Sequence, residues 1–177
     1  LLPAWEPLLA RTLAEAGDAL GGRVGRECTL PGLAAWGRVR DYREQQFTRL
    51  GNVEVYRASA LGADHVREFA MPHVVLATGA SWRRDGIGHQ HDAAIAGADG
   101  TDGADAANLL TPDDILAGAR PTGPVLIYDD DHYYMGGLIA EQLRSLGLEV
   151  TLVTPAADVS TWTHATLEQT WIEQRLH

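Results

Sequence analysis

Three consecutive aspartates, Asp129 to Asp131, follow the short apolar run Val125–Tyr128 and precede an apolar stretch with helical spacing. In parallel α/β sheets this position is the carboxyl end of a strand, where dinucleotide-binding proteins carry G-x-G-x-x-G. The glycine positions here are Asp129, Asp131 and Tyr134. Two carboxylates would repel a pyrophosphate and the tyrosine would fill its space, so the sequence predicts no NAD(P) binding. We expect the aspartates to complement the positive end of the next helix; the alternative is a metal site.

A second set of residues is suited to bind a nucleotide. In dinucleotide-binding folds an acidic residue at the end of the second strand hydrogen-bonds a ribose hydroxyl, and Glu15 stands at such a place. A glycine pair lets the backbone approach a phosphate closely, although a plain surface turn would use the same residues. A Thr-Gly turn after an apolar run marks another strand end. The predicted binding residues are Glu15, Gly21, Gly22, Thr78 and Gly79.

Two histidines and an aspartate, His89, His91 and Asp92, could ligate a metal ion, since imidazole and carboxylate are common ligands. Their spacing in an acidic, glycine-rich stretch favours solvated side chains instead. The sequence contains no convincing arrangement of nucleophile, base and acid. We therefore predict neither catalytic nor metal-binding residues.

The elements that must position these residues are predicted from short β-branched runs and from helical spacing. Five runs predict buried parallel strands: Arg11–Ala14, Val53–Tyr56, Val74–Ala77, Val125–Tyr128 and Val150–Val153. Helices are predicted at 33–50, from Thr111 to Gly118, and at 135–146, and residues 84–108 read as a long surface loop. The fold class is α/β: a Rossmann-like three-layer domain of the FAD/NAD(P)-binding type with a parallel sheet. Residues 1–120 would form a partial FAD/ADP-binding-type domain, and 121–177 the start of a degenerate NAD(P)-binding-like unit.

The predicted helix at 33–50 carries Trp36, Val39, Phe47 and Leu50 on one side, with Arg43 in the same stripe. Such a stripe is expected to face the core. Tyr42 lies off the stripe and should point to solvent.

Composition narrows the possible partners and the compartment. A formal net charge of −10 argues against binding of nucleic acid or of anionic membranes, which need a basic surface. No apolar run is long enough to cross a membrane. Cys28 is the only cysteine, which agrees with a cytoplasmic location and excludes an iron–sulfur cluster held by four cysteines of this chain.

Several longer motifs resemble the C-terminal half of the trimethylamine dehydrogenase family, which includes the dimethylamine and histamine dehydrogenases. The most specific are Leu-Pro-Gly-Leu at 30–33 and Arg-Asp-Tyr-Arg-Glu at 40–44. The others lie at 20–24, 77–82, 110–113, 133–135, 138–141 and 168–177. The resemblance runs from about Leu13 to the end of the sequence.

The resemblance implies a large flavoenzyme. In this family an N-terminal β/α barrel carries FMN and oxidises an amine, and an iron–sulfur cluster passes electrons to electron-transferring flavoprotein. The C-terminal half holds ADP instead of a working redox cofactor. The barrel, the cluster cysteines and the first nucleotide-binding strand are not found in this sequence. We therefore expect an inactive fragment with half an ADP site, without FMN, iron–sulfur cluster or NAD(P) of its own; the alternative is a catalytically empty scaffold or protein-docking module. Tyr42 is the predicted centre of docking to electron-transferring flavoprotein.

Overall fold

The structure, a computed structural model, describes residues 11–98 and 108–177 of the chain. Contacts between residues divide the chain into two compact units, Leu1–Gly79 and Ala80–His177. That division concerns contacts alone, so the domain boundary predicted after Arg120 stays a prediction. Of the predicted loop at 84–108, residues 99–107 lie outside the described residues, and 84–98 contain no helix or strand.

The first unit is built on two parallel strands, β1 and β2, joined by a helical connection. Arg11 pairs with Val53 at one end of the ladder and Ala14 with Tyr56 at the other, which confirms both predicted strands. The bounds are β1 (Arg11–Ala14), α1 (Gly22–Glu27), a 3-10 turn (Ala34–Trp36), α2 (Gly37–Arg49), β2 (Val53–Tyr56) and α3 (Ala63–Glu68).

The predicted helix at 33–50 is confirmed as the 3-10 turn followed by α2, but its apolar stripe is buried only in part. Phe47 and Leu50 are half-buried, whereas Val39 is 62% exposed and Trp36 is also exposed. Gly37, at the start of α2, is the buried residue of this helix and lies against Cys28. Helical spacing alone does not reveal which part of the predicted stripe becomes buried.

The prediction of a buried strand at Val74–Ala77 is wrong. The segment belongs to no strand, and Val75 and Leu76 are 88% and 80% exposed. A parallel strand is buried only when a neighbour pairs with it and other layers cover it. The described residues of the first unit offer this segment neither, so its apolar sequence remains in solvent.

The second unit contains the predicted strand–helix–strand arrangement. Its strands β3 and β4 pair in parallel, with Val125 opposite Val150 and Tyr128 opposite Val153. The bounds are α4 (Pro112–Leu116), β3 (Val125–Tyr128), α5 (Met135–Ser145), β4 (Val150–Val153), a 3-10 turn (Thr161–Thr166) and α6 (Gln169–Leu176). The α/β class and the parallel pairing are thus confirmed. Within the described residues each sheet has two strands, whereas a three-layer nucleotide-binding domain needs a wider one.

The core of the second unit is formed mainly by α5. Seven of its residues are buried, and Leu143 is among the most buried side chains described. Ile115 of α4 and Ile172 of α6 add to this core. No helix in the described part of the chain is both long enough and apolar enough to cross a membrane.

The predicted helix from Thr111 is confirmed as α4, and a capping box fixes its start. The Asp114 carboxylate accepts hydrogen bonds from the backbone N–H and the hydroxyl of Thr111, at 2.7 and 2.8 Å. The guanidinium of Arg84 lies 2.8 Å from both of its oxygens. The Thr111 bonds, and then the Arg84 pair, lower the pKa of the Asp114 carboxyl to about 2. Gly118, at φ +103°, lies just beyond the end of the helix.

We expect Asp114→Ala to lower the stability of the second unit by roughly 1 kcal/mol at neutral pH, since a helix cap is lost. Because the pKa is depressed in the folded state, this contribution is present above the ordinary carboxyl pKa and disappears as the pH falls through about 2. Thermal unfolding of both proteins across the acidic range checks this. Asp64→Ala, at an exposed ion pair in α3, is the control and should change little. A stability difference that does not shrink in acid would contradict the assignment.

Candidate functional site

The turn after β1 holds Glu15 in a defined position. Its N–H donates to the carbonyl of Tyr56, and its carbonyl accepts the N–H of Ser59 at 2.8 Å. The side-chain Oε1 accepts the N–H of Gly17 at 3.0 Å. Glu15 is thus anchored through its backbone at the carboxyl end of the β1–β2 ladder, while its side chain is only half-buried. A carboxylate in this position can accept hydrogen bonds from a ligand hydroxyl.

The predicted glycine pair forms the turn into α1. Gly21 and Gly22 have φ values of +101° and +44°, a conformation that favours glycine. A Cβ at Gly21 would lie 2.8 Å from Cδ of Arg40, so the close approach at this position is made by the stem of Arg40. Nothing lies within 4 Å of the Cβ position of Gly22, which leaves that side open to a ligand.

The contact of Arg40 with Gly21 was not predicted, because Arg40 lies in another helix, nearly twenty positions along the chain. Its guanidinium donates to Oδ1 of Asp41 from both Nε and Nη2, at 2.9 and 2.7 Å. The only sequence signal was its place in the Arg-Asp-Tyr-Arg-Glu motif. The stem covers Gly21, and the charged end stays partly exposed.

Thr78 and Gly79 are exposed and follow the unpaired segment Val74–Ala77. Gly79 has φ +76° with open space around its Cβ position. The expectation that these two residues end a buried strand is therefore wrong, because that strand does not form.

A shallow pocket of about 480 Å³ lies next to the turn that contains Glu15. The sequence did not predict it. Ser59, whose N–H binds the Glu15 carbonyl, is one of its walls. The remaining walls come from the segment before α3 and from α3 and its end: Ala60, Leu61, His65, Glu68 and Phe69.

In the second unit the turn from β3 to α5 is filled by its own side chains. Asp129 is only 3% exposed, and its Oδ1 accepts the backbone N–H of Asp131 and of His132 at 3.1 and 3.3 Å. Its carboxylate lies against Gly136 in the first turn of α5, where a Cβ would come within 2.7 Å of Cγ. Burial raises the pKa of the Asp129 carboxyl, although the two N–H donors act in the opposite direction.

Asp130 and His132 form a second buried pair next to this turn. His132 Nε2 lies 3.1 Å from Oδ1 of Asp130, and His132 Nδ1 lies 3.3 Å from the hydroxyl of Thr154. His132 adopts φ +59°, a conformation uncommon for a residue other than glycine. The described residues contain no group of three or more metal-ligating side chains.

The predicted solvated histidines are exposed, but their rings also make contacts. The His89 ring lies 5.7 Å from the Trp162 ring and 6.3 Å from the His132 ring. The His91 ring lies 5.5 Å from the Tyr128 ring. Periodicity gives no signal for contacts between a loop and elements this far along the chain.

Comparison with known proteins identifies relatives over almost the whole chain. Residues 110–177 match the family described as the OYE-like second alpha/beta domain. Over 171 residues the chain is 32% identical to the dimethylamine dehydrogenase of Hyphomicrobium sp. (strain x), an alignment that covers 93% of this chain and 23% of the relative.

Solved structures extend the comparison. The 6-hydroxypseudooxynicotine amine oxidase of Pseudomonas geniculata N1 is 48% identical, with a TM-score of 0.84 over 91% of this chain and 23% of its own. Histamine dehydrogenase from Rhizobium sp. 4-9 is 47% identical, with a TM-score of 0.81 over 93% of this chain and 25% of its own. A 2-naphthoyl-CoA reductase, at 22% identity and a TM-score of 0.72, shares the fold.

The chain is a mixed α/β protein, and its residues 110–177 match the OYE-like second alpha/beta domain. More particularly, the chain is homologous to dimethylamine dehydrogenase and histamine dehydrogenase and matches the trimethylamine dehydrogenase-like family, as the motifs implied. It spans about a quarter of the length of these relatives.

We expect Asp129→Asn to stabilise the second unit relative to the parent, increasingly as the pH rises through the carboxyl range. Asparagine keeps an oxygen for the two N–H donors, whereas the parent must ionise a buried carboxyl. Because the folded pKa is raised, the parent loses stability as the pH rises from the ordinary carboxyl pKa through the folded one. Asp129→Ala removes the acceptor and should cost about 1–3 kcal/mol. Thermal unfolding across pH measures both; equal pH profiles for Asn and parent would show that the carboxyl carries no burial penalty.

Proposed function

We propose that this chain is the ADP-binding and structural region of an amine dehydrogenase-type flavin oxidoreductase, without a redox centre of its own. The observation that carries the proposal is the identity of 47–48% with a histamine dehydrogenase and an amine oxidase across more than nine-tenths of the chain. The FMN and the iron–sulfur cluster expected for such an enzyme would belong to other parts of the parent protein. The substrate would be an organic amine oxidised there.

The proposed ADP site lies in the first unit, within an FAD/NAD(P)-binding-type fold that the parent enzyme would complete. Glu15 would accept hydrogen bonds from the ribose, and the open side of Gly22, beside Gly21, would admit the phosphates. Thr78 and Gly79 would approach the ligand once their segment has a neighbouring strand. The pocket beside Ser59 offers Phe69 and Leu61 as apolar walls suited to a base. The single cysteine agrees with a parent enzyme in the cytoplasm.

Titration calorimetry with ADP tests this site. We expect measurable binding to the parent chain and a roughly tenfold loss in Glu15→Gln, since a charge-assisted hydrogen bond is worth about 1.5–3 kcal/mol. Glutamine keeps an oxygen for the Gly17 N–H, so the turn should survive. Asp18→Asn removes a nearby exposed charge and is the matched control. Unchanged affinity in Glu15→Gln would move the site elsewhere, and no heat with the parent chain would favour the alternative of an empty scaffold.

A second candidate function, docking of electron-transferring flavoprotein, is favoured by the exposed face of α2. Tyr42 is 56% exposed, as the sequence predicts, and Val39 is exposed beside it one helical turn earlier. Arg43 lies over the Tyr42 ring at 5.7 Å, and the Tyr42 hydroxyl accepts a hydrogen bond from Gln46 at 2.9 Å. Aromatic and arginine side chains on an exposed face are frequent anchors of protein interfaces.

The docking proposal is tested in a full-length enzyme that contains this chain. Tyr42→Ala should slow electron transfer to the partner flavoprotein several-fold by removing an anchor, while amine oxidation with an artificial acceptor stays at the parent rate. Tyr42→Phe keeps the ring and removes only the hydroxyl, so it should retain most of the transfer rate. If Tyr42→Ala matches the parent with both acceptors, α2 is not the docking surface.

A further inference from the structure

The carboxyl ends of β3 and β4 form the place where an α/β sheet ordinarily takes a ligand. In the second unit this place has a cover from the same unit. Residues 86–92, here called the strap, run across the turn that joins β3 to α5. Three separate contacts hold the strap on that turn.

The first contact is a hydrogen bond between distant parts of the sequence. The backbone N–H of Gln90 donates to Oδ2 of Asp130 at 2.9 Å. The same Asp130 faces His132 through its other oxygen, so its carboxylate joins the strap to the buried turn. Its side chain is about nine-tenths buried, which shields both interactions from water.

The second contact depends on the absence of a side chain. Gly88 lies so close to Asp130 that a Cβ at this position would come within 3.1 Å of Cγ and closer still to Oδ2. The Gly88 N–H also donates to the carbonyl of His91 at 3.0 Å, which closes the strap into a tight turn. Any larger residue at 88 would have to displace either the buried Asp130 carboxylate or the strap, and either movement breaks the contact between them.

The third contact is made by the rings on either side of Gln90. His91 lies on Tyr128 at the end of β3, and His89 lies on Trp162 and His132. The base of the strap is fixed as well, because Asp85 accepts the N–H of Ile87 with its side chain and the N–H of Ile95 with its carbonyl.

We propose that the strap and the Asp129 carboxylate together make the second unit a self-liganded cleft: the chain itself fills the site that a dinucleotide would occupy. Asp129 lies against the first turn of α5, where a phosphate would be held in a dinucleotide-binding fold. The strap covers Asp130 from the outer side. Gly88 and Asp130 are the residues that determine closure. This closure takes place within the second unit and does not depend on ADP binding in the first.

Amide hydrogen exchange, followed by NMR, tests closure of the strap. The Gln90 N–H of the parent chain should exchange at least about tenfold more slowly than a freely exposed amide. Gly88→Ala and Asp130→Ala should both abolish this protection, whereas Asp130→Asn retains an acceptor oxygen and should keep most of it. Gly51→Ala adds the same methyl group where nothing lies within 4 Å and is the control. The amides of Leu138 and Ile139 in α5 report whether each variant is folded.

Titration with NADH in the same experiment tests whether the cleft is filled. We expect no shift of the amide signals of residues 86–92 and 129–137, whatever ADP does to the signals of residues 15–22. Fast exchange of the Gln90 amide in the parent chain would overturn the proposal without any variant. Protection that survives both alanine variants, or NADH shifts that map to the β3–α5 turn, would overturn it too.

Discussion

The buried carboxylate of Asp129 is the constraint on which the second unit depends. A charge taken out of water is costly, and the two N–H groups that Oδ1 accepts from its own turn offset this cost only in part, because burial still raises the pKa of the Asp129 carboxyl. The carboxylate also lies against Gly136 in the first turn of α5. That arrangement needs a glycine at 136 and draws the backbone into the sharp path that gives His132 its positive φ. Asp130 is thereby aimed outward, where the strap binds it. The side chain that stands in the first glycine position of a dinucleotide motif is thus the element that organises the turn.

The first unit is organised mainly by backbone hydrogen bonds. Its two strands are extended by the bonds that Glu15 makes with Tyr56 and Ser59, and its described apolar core includes little more than Leu20 and Leu30. A two-stranded sheet has limited stability alone, and it gains from further strands and covering layers. The pocket beside Ser59 and the exposed apolar side chains of α2 lie in this same unit.

The local sequence was sufficient to predict most helices and strands, but it did not reveal which segments pair or pack together. The runs at β1 to β4 were predicted with the observed bounds because each is a β-branched or apolar segment between turns, and a helix was predicted from Thr111 to Gly118, where α4 forms. Val74–Ala77 has the same local character, but burial of a strand depends on a partner that its own residues do not encode. The candidate site follows the same rule. Glu15 and the glycine pair were predicted as site residues from the sequence and stay a prediction, whereas Arg40 over Gly21 and Gln90 on Asp130 are tertiary contacts with no periodic signal.

The exposed valines and leucine at 74–76 have a consequence for how copies of the chain behave together. An exposed, uncharged segment rich in β-branched residues can pair as a strand with the same segment of another molecule. What opposes that encounter is long-range repulsion, because each molecule carries a net charge of −10. Dissolved ions reduce the range of this repulsion to a Debye length of about 8 Å at physiological ionic strength. Association of the chain therefore depends on the balance between pairing of this apolar segment and electrostatic repulsion between molecules. Salt shifts that balance towards association.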